Sequence, residues 1–156
     1  MKGVTMNRAR SLIVAAILFL LTGTGFGAGK TYDVCDYGAV ADGKTLCTET
    51  IQKAIDACSA AGGGKVYFPA GRFLSGTLVL KSNVTLHLDA GSVLLGSTDL
   101  KDYPSKVQAF RSYTDNYTEK SLIYAEKVER IAIEGRGTID GQGKELMHHD
   151  ICAASM

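Results

Sequence analysis

A thirteen-residue stretch occurs twice, 20 residues apart, and constrains the fold more than any other feature of the chain. Residues 65–77 read KVYFPAGRFLSGT and residues 85–97 read TLHLDAGSVLLGS. Ala70/Ala90, Gly71/Gly91, Leu74/Leu94 and Gly76/Gly96 match outright. A weaker echo, RIAIEGRGTIDGQ, lies at 130–142, 45 residues after the second copy. Self-similarity at this period is the mark of stacked coils, each able to bury its apolar face only against its neighbours. The expectation is that the chain holds the first coils of such a stack.

The expected internal layout follows from period two. Val66/Phe68, Leu86/Leu88 and Ile131/Ile133 point inward, and Lys65/Tyr67, Thr85/His87 and Arg130/Ala132/Glu134 point outward. Parallel stacking predicts one internal ladder of Val66, Leu86 and Ile131 and a second of Phe68, Leu88 and Ile133. Glycines 71, 76, 91, 96, 135, 137, 141 and 143 mark corners. Thr77–Leu80 and Ser121–Tyr124 supply shorter strands. Residues 98–120 break the period and read as a loop bulging from the stack.

Ahead of the strands, residues 31–47 alternate briefly and turn at Asp42-Gly43. A helix is expected over Thr48–Ala60, with Ile51, Ala54, Ile55, Cys58 and Ala61 on one face. Gly62-Gly63-Gly64 ends it. An amphipathic helix placed before short strands fits a cap over the first hydrophobic rung.

Residues 1–28 have the layout of a secretory signal peptide: basic Lys2, Arg8 and Arg10, an apolar run from Leu12 to Leu21, then small residues. The run is short for a membrane span. Secretion or periplasmic export, with no membrane attachment after cleavage, is the expectation. Removal of the three basic residues leaves 14 Lys+Arg against 16 Asp+Glu, a formal −2. That balance argues against nucleic acid as a partner. Export permits disulfides; Cys35 with Cys47 is the first pair to test, Cys58 reads as a buried small hydrophobe, and pairing with Cys152 stays open.

Few side chains suggest chemistry. GTGFGAGKT at 23–31 has Thr24 where a phosphate-binding loop needs glycine, and no helix opens after it. Asp89 and Glu134 occupy equivalent repeat positions, with Asp140 following; two carboxylates facing one groove could serve glycosidic chemistry. The plainer reading is that such outward acids are solvated or bond turn amides. His148, His149 and Cys152 lie on a tail without a scaffold for metal, and His87 reads as an outward strand residue. Neither a metal nor a cofactor is expected. Asn83-Val84-Thr85 and Asn116-Tyr117-Thr118 match the glycosylation acceptor pattern.

DYGAVADGKTLCTETIQKAIDACSAAGGGKVYFPAGRFLSGTLVLKSNVTLHLDAGSVLLGS, residues 36–97, resembles the N-terminal part of polygalacturonases, family 28 of the glycoside hydrolases within the pectate-lyase-like superfamily. IEGRGTIDGQG at 133–143 is similar to the segment that follows there. The resemblance implies a right-handed parallel β-helix and inverting hydrolysis of galacturonide chains, with pectic polysaccharide or oligogalacturonide as partner. Inversion needs a proton-donating acid and a water-activating carboxylate roughly 6.5–9.5 Å apart. In the family these belong to Asn-Thr-Asp and Asp-Asp blocks, joined by Gly-His-Gly and Arg-Ile-Lys blocks. None occurs in this chain; Thr114-Asp115-Asn116 is only a scrambled echo. No catalytic residue carries over to any position.

The expected fold is therefore an all-β solenoid, a right-handed parallel β-helix of first coils over residues 29–143, with an N-terminal amphipathic capping helix and an irregular tail at 144–156. The expected function is an exported N-terminal fragment of a polygalacturonase- or rhamnogalacturonase-like hydrolase, inactive alone. Two alternatives share the fold. One is a non-catalytic carbohydrate-binding or assembly module using outward Tyr67, Tyr103, Tyr113 and Tyr117, or self-association through its last coil. The other is a lyase or tailspike-type member of the superfamily.

Overall fold

The computed structural model describes residues 29–105 and 120–144. The signal-like segment, most of the 98–120 loop and the tail from residue 145 lie outside the described residues, and with them Tyr113, Tyr117, Asn116, His148, His149 and Cys152.

Strands β1 (Thr31–Asp33), β3 (Gly64–Phe68), β6 (Val84–Leu88) and β9 (Ala132–Gly135) stack in that order as one parallel sheet. A second parallel sheet orders β2 (Asp42–Leu46), β4 (Gly71–Ser75), β7 (Ser92–Gly96) and β10 (Thr138–Asp140). Short β5 (Leu78–Val79) and β8 (Ile123–Tyr124) pair in a third. The chain visits the three sheets in turn, so each coil stacks on the last. Val66, Phe68, Leu86 and Leu88 are buried, as period two requires, and with Phe73, Leu78, Val84 and Leu94 they fill the interior.

An α-helix, α1, runs Thr48–Ala60, as its apolar spacing predicts. Ile51, Ala54, Ile55 and Cys58 are fully buried against the first rung. Its end is closed by Gly62 and Gly63, both at positive φ, and Gly63 N–H donates to the Cys58 carbonyl. The helix also supplies a polar cap. The Gln52 amide donates to the Val79 carbonyl at 3.0 Å and accepts from Val79 N–H at 2.9 Å. It thereby fills the edge of β5 that faces away from β8, as a neighbouring strand would. Gln52→Ala is expected to lower stability by ~1–3 kcal/mol, because it strips both partners from a strand that keeps few others; denaturant titration of the two proteins measures it. Gln52→Glu, which lacks the donor, should fail to restore the loss.

The register departs from expectation in the second sheet and in the third copy. In the first sheet β3 and β6 pair at an offset of 20, Val66 on Leu86. In the second, β4 and β7 pair at 21: Phe73 meets Leu94 and Leu74 meets Leu95. The outright match of Leu74 with Leu94 is therefore not a stacked pair, because the corner Asp89-Ala90-Gly91 is one residue longer than Pro69-Ala70. In the third copy the shift is larger. Leu86 pairs with Ile133 and Leu88 with Gly135, so the ladders run Val66–Leu86–Ile133 and Phe68–Leu88–Gly135, not through Ile131 and Ile133 as expected. β10 returns to an offset of 45, with Val93 on Thr138. From Gly135 to Thr138 the chain is two residues shorter than between their partners Leu88 and Val93. Arg136 and Gly137 N–H groups both donate to the Leu88 carbonyl there, at 2.9 and 3.1 Å.

The Asp42-Gly43 turn is present, but inside a strand. Gly43 takes φ +69, and the β2–β4 register breaks between Asp42 and Leu46. One Asp42 carboxylate oxygen accepts from the Lys44 and Thr45 N–H groups, each at 2.8 Å, and the other from the Thr45 hydroxyl at 2.7 Å. These bonds hold its pKa down at about 2, led by the Thr45 N–H. A depressed carboxylate stabilises the fold above its unfolded pKa of 3.8 and loses that contribution as pH falls through about 2. The difference in melting temperature between the parent and Asp42→Ala should hold from neutral pH to about pH 4 and close towards pH 2.

Cys35, Cys47 and Cys58 are free thiols. Cys35 and Cys47, the first pair to test, are not bridged: Cys47 is buried, and its sulfur bonds Val40 N–H, Val40 O and Thr45 O. Cys58 is a buried small hydrophobe.

Candidate functional site

The outward face of the first sheet carries the densest set of functional groups among the described residues. Parallel pairing puts Asp33, Tyr67, His87 and Glu134 side by side on successive strands. Alternation turns all four away from the core, with Lys65 two residues before Tyr67 on the same face. The Tyr67 and His87 rings stack, with centroids 5.8 Å apart and planes 20° from parallel. Glu134 Oε1 lies 2.8 Å from Lys65 Nζ and 3.0 Å from His87 Nδ1. The Tyr67 hydroxyl donates to Asp89 Oδ2 at 2.6 Å, and Ala90 N–H donates to Asp89 Oδ1 at 2.7 Å.

Glu134 and Asp89 are held as carboxylates. The Lys65 ammonium and then His87 push the Glu134 pKa down. The Tyr67 hydroxyl and then Ala90 N–H do the same for Asp89, and the same bond raises the Tyr67 phenol. Glycosidic acid catalysis needs the opposite, a carboxyl whose pKa is raised enough to carry a proton. The expected equivalence of Asp89 and Glu134 is also corrected: the 47-residue offset of β9 places Glu134 beside His87, and Asp89 lies past the strand end. Asp140 Oδ1 accepts from Gln142 N–H at 3.0 Å, within its own turn.

Other expectations resolve individually. Tyr103 is not an outward platform; it is 6% exposed and its hydroxyl donates to the Ser97 carbonyl at 2.7 Å. Together with Ser97 Oγ, which bonds Asp102, it pins the start of the 98–120 loop against the corner at Gly96. Asn83, in the first acceptor motif, sits at φ +66 and takes Arg130 Nε on its side-chain oxygen at 2.6 Å. The amide is thus part of the contact between successive coils.

Sequence reasoning did not single out the cleft between α1 and β5. It encloses about 480 Å³ between Thr48, Glu49, Gln52, Lys53, Val79 and Lys81. Asp56 Oδ1 accepts from the Gln52 amide at 2.9 Å along the helix and lies 2.8 Å from Lys81 Nζ across the cleft. No local pattern announces this site, since Gln52 and Val79 are 27 residues apart.

Residues 31–155 match the family model described as rhamnogalacturonase A/epimerase, pectate lyase-like. The chain belongs to this family. Several of its relatives are of the polygalacturonase type. The chain is 40% identical over 131 residues to an exo-poly-alpha-D-galacturonosidase of Dickeya chrysanthemi, covering 79% of this chain and 21% of that protein. The family 28 exopolygalacturonase of Yersinia enterocolitica superposes with a TM-score of 0.63 at 43% identity, over 72% of this chain and 21% of that one. The exopolygalacturonase of Thermotoga maritima gives 0.64 at 35%, over 72% and 25%. The fold is the right-handed parallel β-helix, and this pectate-lyase-like chain spans about a fifth to a quarter of the length of these relatives.

Proposed function

We propose that this chain is the exported, cap-proximal part of a pectin-acting hydrolase of the polygalacturonase type, and that it hydrolyses nothing alone. The observation that carries the reading is the match to galacturonan-cleaving relatives over coils in which Asp89 and Glu134, the acids facing outward from the first sheet's corner and last strand, are committed to structural bonds. Asp89 is held by Tyr67 and Ala90, and Glu134 by Lys65 and His87. An inverting pair requires one carboxyl poised to donate a proton and another free to activate water. The ladder offers neither, so it acts as scaffold. Pectic polysaccharide is the substrate class the relatives point to, and export follows from the basic start and apolar run of residues 1–28.

Incubating the purified chain with polygalacturonate and measuring reducing ends tests this directly. No release above a buffer control is expected between pH 4 and 8; sustained release that scales with protein concentration would overturn the inactivity. Mass spectrometry of the exported product tests the other half, with a new N-terminus near residue 28 expected and an intact Met1 counting against export.

A further inference from the structure

We propose that the outer face of the first sheet carries a shallow binding site for a neutral glycan chain lying along the axis of the stack. Strand pairing sets two outward rows on this face. One is Thr31, Lys65, Thr85 and Ala132; the other is Asp33, Tyr67, His87 and Glu134. Neighbours within a row stand one strand apart, ~4.8 Å. The short side chains of the first row leave a trough of about 460 Å³ beside Lys65, lined also by Asn83 and Glu134. That volume lies in the range of small-ligand sites.

The polar groups of the trough keep bonding capacity. The Thr31 and Thr85 hydroxyls bond no other group among the described residues. Lys65 Nζ carries three donors and gives one to Glu134. The Asn83 oxygen accepts from Arg130 Nε, which leaves its amide N–H groups to donate. Donors and acceptors therefore recur along the stack at strand spacing, as the hydroxyls of successive sugar rings do along a chain. The second row is held in place beforehand. The Tyr67 and His87 rings stack, Tyr67 is tied to Asp89, and His87 is tied to Glu134. Rings fixed before a ligand arrives lose little freedom on binding, and they offer apolar surface to sugar C–H groups. Lys65 and His87 keep 39% and 26% of their side-chain surface exposed, so both rows are accessible.

The same face argues against other ligands. It sets the carboxylates of Asp33, Asp89 and Glu134 against the cations of Lys65 and Arg136, a balance that disfavours polyuronate and nucleic acid. A peptide strand finds no ladder to join, because β3 and β6 are paired on both sides. An uncharged, hydroxyl-rich chain meets neither obstacle. Such a chain differs from the galacturonan of the hydrolytic reading, and the site stands whether or not that reading does.

Titration calorimetry of the full chain, in a detergent that carries no sugar, reads the proposal with cellotetraose and β-1,4-galactotetraose as probes. At least one of the two should bind with a Kd on the order of 0.1–1 mM. Tetragalacturonate should bind ~10-fold or more weakly than that, because its carboxylates meet those of the face. Thr31→Ala with Thr85→Ala should weaken the neutral ligand by ~5-fold or more and keep the circular-dichroism spectrum, since neither hydroxyl holds the fold. Thr85→Tyr, which fills the trough, should weaken it likewise, and Thr138→Ala, on the second sheet, should change nothing. No binding of either neutral tetrasaccharide, equal binding of tetragalacturonate, or an affinity indifferent to the threonine substitutions would each overturn the site. The hydrolytic reading is decided separately, by reducing ends released from polygalacturonate.

Discussion

Phe68→Ala is expected to remove ~3–5 kcal/mol of unfolding free energy, a large share of what a small domain has. Phe68 is fully buried, and its ring meets Phe73 edge to face with centroids 5.6 Å apart. Phe68 ends β3 in the first sheet and Phe73 lies on β4 in the second. The pair therefore ties two sheets across the coil's interior. Truncation leaves a cavity between walls fixed by parallel strand pairing, which cannot collapse to fill it. Denaturant titration of the parent, both single alanine variants and the double variant would measure this. A coupling of about 0.5–1.5 kcal/mol is expected beyond the separate losses. A loss below about 1 kcal/mol at Phe68 would mean that the first coils are not packed as described.

Gly135→Ala should cost at least ~2 kcal/mol, and the loss should be local. Gly135 takes φ +114, a conformation that an L side chain rarely adopts. A Cβ there would run into the Leu88 carbonyl, the same oxygen that receives the Arg136 and Gly137 N–H groups. From Gly135 to Thr138 the chain is two residues shorter than from Leu88 to Val93, and the missing length is made up by backbone lying directly on backbone. Amide exchange should show β9 and β10 losing protection while β3 and β6 keep theirs. Gly141→Ala is the control: a Cβ added there would meet nothing within 4 Å and its φ is not positive, so a change within about 0.5 kcal/mol is expected. Equal effects at both positions would remove the corner argument.

Much of the architecture was legible in the chain. The helix Thr48–Ala60 was readable because its apolar spacing and glycine stop are local signals. The inward set Val66, Phe68, Leu86 and Leu88 was readable because alternation in a strand has one period. The register was not. Aligning like letters paired Leu74 with Leu94 and Ile131 with Leu86, whereas the strands pair Leu74 with Leu95 and Ile133 with Leu86. Corners of different length slide one strand past another, and similarity of composition does not count the residues a corner spends. The error carried into the candidate site, where it made Asp89 and Glu134 equivalent and missed the neighbours each one has.

Sequence alone thus determined the kind of fold, the capping helix, the inward and outward faces and the family, because each rests on patterns that neighbouring residues carry. Tertiary structure alone decided which side chains meet. The Gln52 amide reaches Val79 across 27 residues, Tyr67 reaches Asp89 across 22, and Glu134 reaches His87 across 47. Hydrogen bonds and ion pairs act over a few ångströms, so they depend on coil-to-coil register, and that register is set only when the corners close.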